Sequence, residues 1–148
     1  MKLLFIYNKW DDTSKLHQNS SKSLEVTRNS ILEADQMWRL ELDPQGSLCY
    51  RIYNFYHETS KITFQSDALR MTDRSSYHTD ELWSFQRDGR GYYFIVRCLK
   101  GGIDRGKRIT LDDDGTLSVK EGYGADKQLW TLTYVEDKDA GIYLEFEF

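Results

Sequence analysis

The chain has 148 residues, 39% hydrophobic and 30% charged, with 24 acidic against 20 basic side chains for a formal net charge of −4. That length makes one domain with room for a core, and the apolar content excludes a disordered chain. The two signs of charge interleave without a basic block, which excludes phosphate-backbone binding and argues against attraction to, or insertion into, a membrane.

In chain order, the first element is an apolar run over Leu3–Tyr7. It is shorter than the roughly 7–15 apolar residues of a secretory h-region, so it reads as a strand. The expectation that follows is a cytoplasmic protein, with non-classical secretion as the route out if it leaves the cell. Asn8 and Trp10 close this strand, and Thr13-Ser14-Lys15 and Leu24-Glu25-Val26 mark a short hairpin. Ser30–Asp35 has room for one short helical turn, and nothing else in the chain shows a helical period. Gln36-Met37-Trp38 then opens a strand through Leu40-Glu41-Leu42, and Asp43-Pro44-Gln45-Gly46 is a turn with Pro second and Gly fourth.

The same elements then return. Arg51-Ile52-Tyr53-Asn54-Phe55-Tyr56 repeats Phe5-Ile6-Tyr7-Asn8-Lys9-Trp10, and Thr59-Ser60-Lys61 repeats Thr13-Ser14-Lys15. Leu69-Arg70-Met71 and Glu81-Leu82-Trp83 follow, with Asp88-Gly89-Arg90-Gly91 as the turn. A third copy runs through Phe94-Ile95-Val96-Arg97, Arg105-Gly106-Lys107 after a three-residue insertion, Leu117-Ser118-Val119 and Gln128-Leu129-Trp130. The three Trp residues, Trp38, Trp83 and Trp130, lie 45 and 47 residues apart.

A period of this size signals a repeat architecture. Each repeat holds about four strands, over about 3–42, 47–87 and 92–134 of a single domain spanning 1–148. Three such units suit an all-β, β-trefoil fold with pseudo-threefold symmetry, a six-stranded barrel capped by three hairpins; a propeller normally needs four or more blades. Ile6, Ile52 and Ile95 are the expected barrel layer, with Leu24, Leu69 and Leu117 beneath the hairpins and the three Trp residues as buried anchors.

One more alternating strand, Ile142–Phe148, follows the third repeat. Together with Leu3–Asn8 it makes four opening strands for three barrel places. The expectation is that one terminal strand pairs outside the barrel with a second chain, giving a homodimer; the alternative is an extra strand folded back on its own barrel. Cys49 and Cys98 could form one bridge, but a reducing compartment favours two free thiols. With three isolated His residues they offer no zinc spacing, so no metal or other cofactor is expected. Asp112-Asp113-Asp114-Gly115 reads as a solvated hairpin turn rather than a cation loop.

The Gln-x-Trp ending of the repeats, with an upstream Ile-x-Asn and Ser-Lys or Gly-Lys, resembles the ricin-B-type (R-type) β-trefoil lectin family over about residues 3–135. The resemblance implies glycan recognition at one to three shallow repeat-related sites, without catalysis. In that family a galactose pocket uses an Asp after Gly-Lys-x-Leu, an aromatic on the hairpin and an Asn before Gln-x-Trp. Here the first position carries His17 (or Gln18), Thr63 and Thr110, and the aromatic position carries Val26, Met71 and Ser118. The third carries Asp35, Asp80 and Lys127, with Asp126 adjacent. A galactose-type ligand is thus compatible with the family, while its usual pocket is intact in no repeat.

The candidate carbohydrate-binding residues are Tyr77, His78 and Asp80 in the second repeat, Tyr123 and Asp126 in the third, Asp35 in the first, and the strand-end aromatics Trp10 and Tyr56. Tyr and Trp supply a flat face for pyranose C–H groups, while His and Asp orient hydroxyls. No nucleophile elbow, zinc-protease motif or phosphate loop points to an enzyme. The other functions weighed are a trefoil protease inhibitor and a protein-interaction module that has lost sugar binding.

Overall fold

The computed structural model describes residues 2–99, 102–122 and 125–135, with backbone only over 102–106. Among the described residues twelve strands form one closed arrangement. Four belong to the first repeat: β1 (Leu3–Asn8), β2 (Lys15–Gln18), β3 (Leu24–Thr27) and β4 (Trp38–Leu42). The second holds β5 (Tyr50–Asn54), β6 (Lys61–Gln65), β7 (Ala68–Thr72) and β8 (Trp83–Arg87). The third holds β9 (Tyr93–Leu99), β10 (Gly102–Leu111), β11 (Leu117–Lys120) and β12 (Leu129–Tyr134). Strands β1, β4, β5, β8, β9 and β12 pair in a ring, and β2–β3, β6–β7 and β10–β11 are hairpins over one end. This is a β-trefoil.

The threefold register is visible in the partners of the repeated Trp residues. Trp38 stands opposite Asn54, Trp83 opposite Arg97 and Trp130 opposite Asn8. All three indoles are fully buried, and each Nε1 donates to a carbonyl of a hairpin strand: Leu16 at 2.9 Å, Ile62 at 3.0 Å and Ile109 at 3.1 Å. A buried indole must satisfy its one donor, and here that bond ties hairpin to barrel. Ile6, Ile52 and Ile95 lie in the same core, with Leu24, Leu69 and Leu117 packed against it under the hairpins.

The hairpin register refines the third repeat. Arg108 pairs with Val96 as Lys15 pairs with Tyr7 and Lys61 with Tyr53, so Arg108 and not Lys107 holds the repeated basic position. The ammonium groups of Lys15 and Lys61 are buried and donate to the carbonyls of Asn29 and Arg74, each at 2.5 Å. Burial lowers the Lys15 pKa. The Ser-Lys motif is therefore a structural clasp.

Helical structure is more regular than the sequence suggests. A single 3-10 turn precedes each Trp strand, at Ala34–Gln36, Thr79–Glu81 and Asp126–Gln128. One turn is too short to produce a helical period in sequence.

The free-thiol expectation is overturned: Cys49 and Cys98 form a disulfide, with Cα atoms 6.6 Å apart. Trp83 at the start of β8 pairs with Tyr50 on one side and Arg97 on the other. Antiparallel pairing to both neighbours brings residues 49 and 98 together at the same end of β8, against Leu82. The barrel's closing place beside β12 is taken by β1, paired from Leu4–Tyr134 to Asn8–Trp130. Ile142–Phe148, and with it the dimer it was expected to mediate, lies outside the described residues.

The β6–β7 hairpin turns through Ser66 (φ 52°) and Asp67 (φ 57°), both left-handed and neither glycine. A side chain in that region carries a steric penalty that glycine avoids. Asp67→Gly is therefore expected to raise unfolding free energy by about 0.5–1 kcal/mol in urea denaturation; a lowered midpoint would contradict this account of the turn.

Candidate functional site

Two buried asparagines shape the surface at the repeat junctions. The Asn54 Nδ2 donates to the Asp35 carbonyl at 2.8 Å, while its Oδ1 accepts from the backbone N–H groups of Tyr56 and His57, each at 3.0 Å. Asn8 does the same with the Lys127 carbonyl and the N–H groups of Trp10 and Asp11. Each side chain thus joins the 3-10 turn of one repeat to the strand-end aromatic of the next. That is the physical content of the Ile-x-Asn motif: it sets an aromatic at the rim of a junction.

Both aromatics are well exposed, Trp10 at 57% and Tyr56 at 67%, and both wall a hollow. The hollow beside Trp10 is about 510 Å³ and that beside Tyr56 about 430 Å³. They are threefold equivalents. Ser14, Thr27 and Arg28 in one correspond to Ser60, Thr72 and Asp73 in the other, and the β10–β11 turn corresponds to the β2–β3 turn. Tyr56 and His57 also wall a second hollow of about 380 Å³, whose far side is Ser20, Glu33, Ala34 and Asp35.

The two junctions differ in how far their polar groups are already engaged. At Trp10, the Lys127 ammonium lies 4.7 Å from the indole centroid and also pairs with Asp113. Asp11 is held by Thr13, Ser14 and Arg28. At Tyr56 the ring meets His57 edge-on, and among the described residues no cation covers it. There, Gln18 Oε1 and Asp35 Oδ1 lie below the surface, and no donor among the described residues reaches either.

Asp11 also gives the protein an acid-sensitive feature. Burial pushes its carboxyl pKa up, but the hydrogen bonds from Thr13, Ser14 and Arg28 and the Arg28 charge outweigh that and lower it from 3.8 to about 2. A depressed folded-state pKa contributes stability that is fully present above the unfolded value and lost as pH falls through the folded one. Asp11→Asn should therefore be less stable than the parent at neutral pH. It should also lose less stability between pH 3.8 and about 2, as urea unfolding across that range will show; parallel pH curves would refute it.

Tyr77 is 53% exposed, and with His78 it lines a fourth hollow of about 310 Å³ against the β4–β5 turn at Asp43, Gln45 and Ser47. The Arg51 guanidinium stacks 4.1 Å from the Tyr77 centroid and donates to Asp43 at 3.3 Å. Burial raises the Asp43 pKa, but Ser47, the Gln45 N–H and Arg51 lower it further, leaving a net depression. Asp80 is directed elsewhere: its Oδ1 accepts from Arg74 at 2.6 Å and Thr63 at 3.1 Å. Burial alone would lower the Arg74 pKa; Asp80 and Glu81 turn that into a rise.

The remaining candidates are dispersed. Asp35 Oδ2 lies 3.8 Å from His17 Nδ1, and His17 Nε2 meets Glu25 at 2.7 Å. Asp126 accepts from Lys9 at 2.8 Å. Tyr123 lies outside the described residues. Thr110 Oγ1 accepts from Gln128 at 3.3 Å, so this residue of the third repeat serves the turn. The structure brings Tyr56 to Asp35 and Tyr77 to His78, and sets Trp10 and Asp80 apart from both pairs. Gln18, Glu58, Ser60 and Asp73 belong to the Tyr56 hollow, and of these Glu58 and Asp73 carried no motif. The available signal was Gln18 itself, polar where β6 and β10 put Phe64 and Leu111.

Among the described residues no cluster of three or more His, Cys, Asp or Glu side chains could hold a metal. No family model matches the chain, and no curated protein matches it in sequence. Solved structures match it in fold. The chain aligns over 92% of its length, at 14% identity and TM-score 0.77, with a GlcNAcα1-4Gal-releasing endo-β-galactosidase from Clostridium perfringens, of which it covers 33%. It aligns over 93%, at 19% identity and TM-score 0.78, with a mosquitocidal holotoxin, of which it covers 18%. It therefore spans a third or less of either protein. With SeviL, solved bound to asialo-GM1 saccharide, it shares 16% identity at TM-score 0.73 over 92% of this chain and 99% of that one. These likenesses, none above 19% identity, are of fold alone.

Proposed function

We propose that this protein is a non-catalytic glycan-binding module with R-type kinship, acting by reversible recognition at shallow surface sites. One observation carries the reading. The three most exposed aromatic side chains among the described residues, Trp10, Tyr56 and Tyr77, each wall a hollow otherwise lined largely by polar side chains. An apolar face beside a few placed hydrogen-bonding groups is what a pyranose ring requires, and the hollows fall within the ~300–1,000 Å³ of small-ligand sites. SeviL, which this chain matches in fold over 99% of that protein, was solved with a saccharide bound, which supports the reading by analogy.

The sites are open rather than enclosed, so one sugar buries little area. Single-site affinity is expected in roughly the millimolar range, with avidity from several sites. The Cys49–Cys98 bridge suits folding in an oxidising compartment, which favours action outside the cytoplasm.

The test is a glycan array probed with the full chain, followed by competition with free sugar. Retention on a defined set of glycans, displaced by the matching free oligosaccharide, is expected. A chain that binds no glycan, or whose binding no sugar displaces, would overturn the reading and leave the scaffold as a protein-interaction module.

A further inference from the structure

We infer that the principal site is a two-subsite groove astride Tyr56, built by the junction of the first and second repeats, that takes a neutral or amino-bearing oligosaccharide and rejects anionic ones. The inference rests on the glycan-binding reading and adds the place, length and charge of the ligand.

Tyr56 and His57 wall both the 430 Å³ and the 380 Å³ hollows, so the two are one groove divided by an exposed ring. Each side presents exposed hydrogen-bonding side chains: Glu58, Thr59 and Asp73 on one, Ser20 and Glu33 on the other. Carboxylates accept from sugar hydroxyls and amines, and a ring on each side of Tyr56 would use one such set apiece while the tyrosine packs between them.

The charge of the groove sets the class of sugar. Glu58 and Asp73 line the first hollow, Glu33 and Asp35 the second, against Lys22 and His57. Carboxylates facing a carboxylated or sulfated sugar repel it, and the cost of that mismatch discriminates between ligands. The Trp10 hollow, though symmetry-related, has its indole capped by Lys127 and its Asp11 held by Arg28. It is the weaker site.

The test uses an array of immobilised neutral mono-, di- and trisaccharides with their sialylated and sulfated counterparts, probed with the full chain and with Tyr56→Ala, Tyr56→Phe, Trp10→Ala and Tyr77→Ala. Tyr56 is exposed, so its substitution leaves the fold intact, which a melting curve checks. For the parent, neutral di- or trisaccharides should exceed their monosaccharides and their anionic counterparts by roughly tenfold. Tyr56→Ala should lose at least roughly tenfold, Tyr56→Phe should stay within about twofold, and the Trp10 and Tyr77 variants should fall less than Tyr56→Ala. Glycan binding that survives Tyr56→Ala, or is lost instead with Tyr77→Ala, overturns this site while leaving the glycan reading standing. Preference for anionic glycans overturns the charge assignment. Absence of glycan binding by the parent overturns both readings.

Discussion

Breaking the Cys49–Cys98 disulfide is expected to lower the unfolding free energy by about 4 kcal/mol. The bridge closes a loop of sequence separation 49, and the chain-entropy estimate for a loop of that length comes to this value. In a domain of this size that corresponds to a fall in melting temperature of roughly 10 °C. The bridge joins strands of two different repeats, both flanking β8, so its loss frees the seam between them. Both sulfur-bearing residues are buried against Leu82, so reduction needs prior unfolding. Parent refolded with and without reductant, alongside Cys49→Ala/Cys98→Ala, supplies the comparison. Superimposable melting curves would show that the bridge adds nothing to the barrel's own closure.

Glu81→Ala is expected to cost about 3–5 kcal/mol, the loss typical of removing one partner from a buried ion pair. In the first and third repeats this position is Gln. Gln36 donates to the Ile31 carbonyl at 3.2 Å, and Gln128 to the Glu121 carbonyl at 2.9 Å. Glu81 is fully buried and can only accept. It takes Arg74 at 3.0 Å and Arg51 at 3.4 Å, with the Lys61 ammonium 3.8 Å away. Removing the carboxylate strands these cations in a region where Arg51 and Lys61 are themselves buried. Glu81→Gln restores the residue of the other repeats but keeps only part of the hydrogen bonding, at a cost of about 1–3 kcal/mol. Urea unfolding of both variants checks the order. A Glu81→Ala variant within about 0.5 kcal/mol of the parent would place this group among ordinary surface positions.

The same network explains how Asp80 is engaged in the second repeat. Once Glu81 replaces Gln, Arg74 is drawn inward to it and takes Asp80 as a second partner. Replacing Asp80 therefore disturbs an ion pair as well as any ligand. Tyr56, which has no such engagement, gives the cleaner functional probe.

The sequence by itself determined the trefoil. Three Trp residues at a near-constant interval, each after a short polar turn and before an alternating strand, have one compact solution in which all three are buried equivalently. The hairpin leucines and the strand isoleucines follow from the same alternation, because side chains two apart share a face. Those features are local, repeated three times, and so visible as periodicity.

What only the tertiary structure decided lies at the junctions. Cys49 meets Cys98 because one strand, β8, pairs antiparallel with both of their strands, and no spacing rule encodes that adjacency. Asp80 turns to Arg74 rather than to a ligand because a neighbouring buried carboxylate needs the same cation. The Tyr56 groove combines Gln18, Asp35 and Asp73, from hairpins and turns of two repeats that are contiguous only once the barrel closes. Periodicity reports which residues occupy equivalent places, whereas a binding surface depends on how the non-equivalent side chains of adjoining repeats share their hydrogen bonds, and closure of the ring sets that sharing.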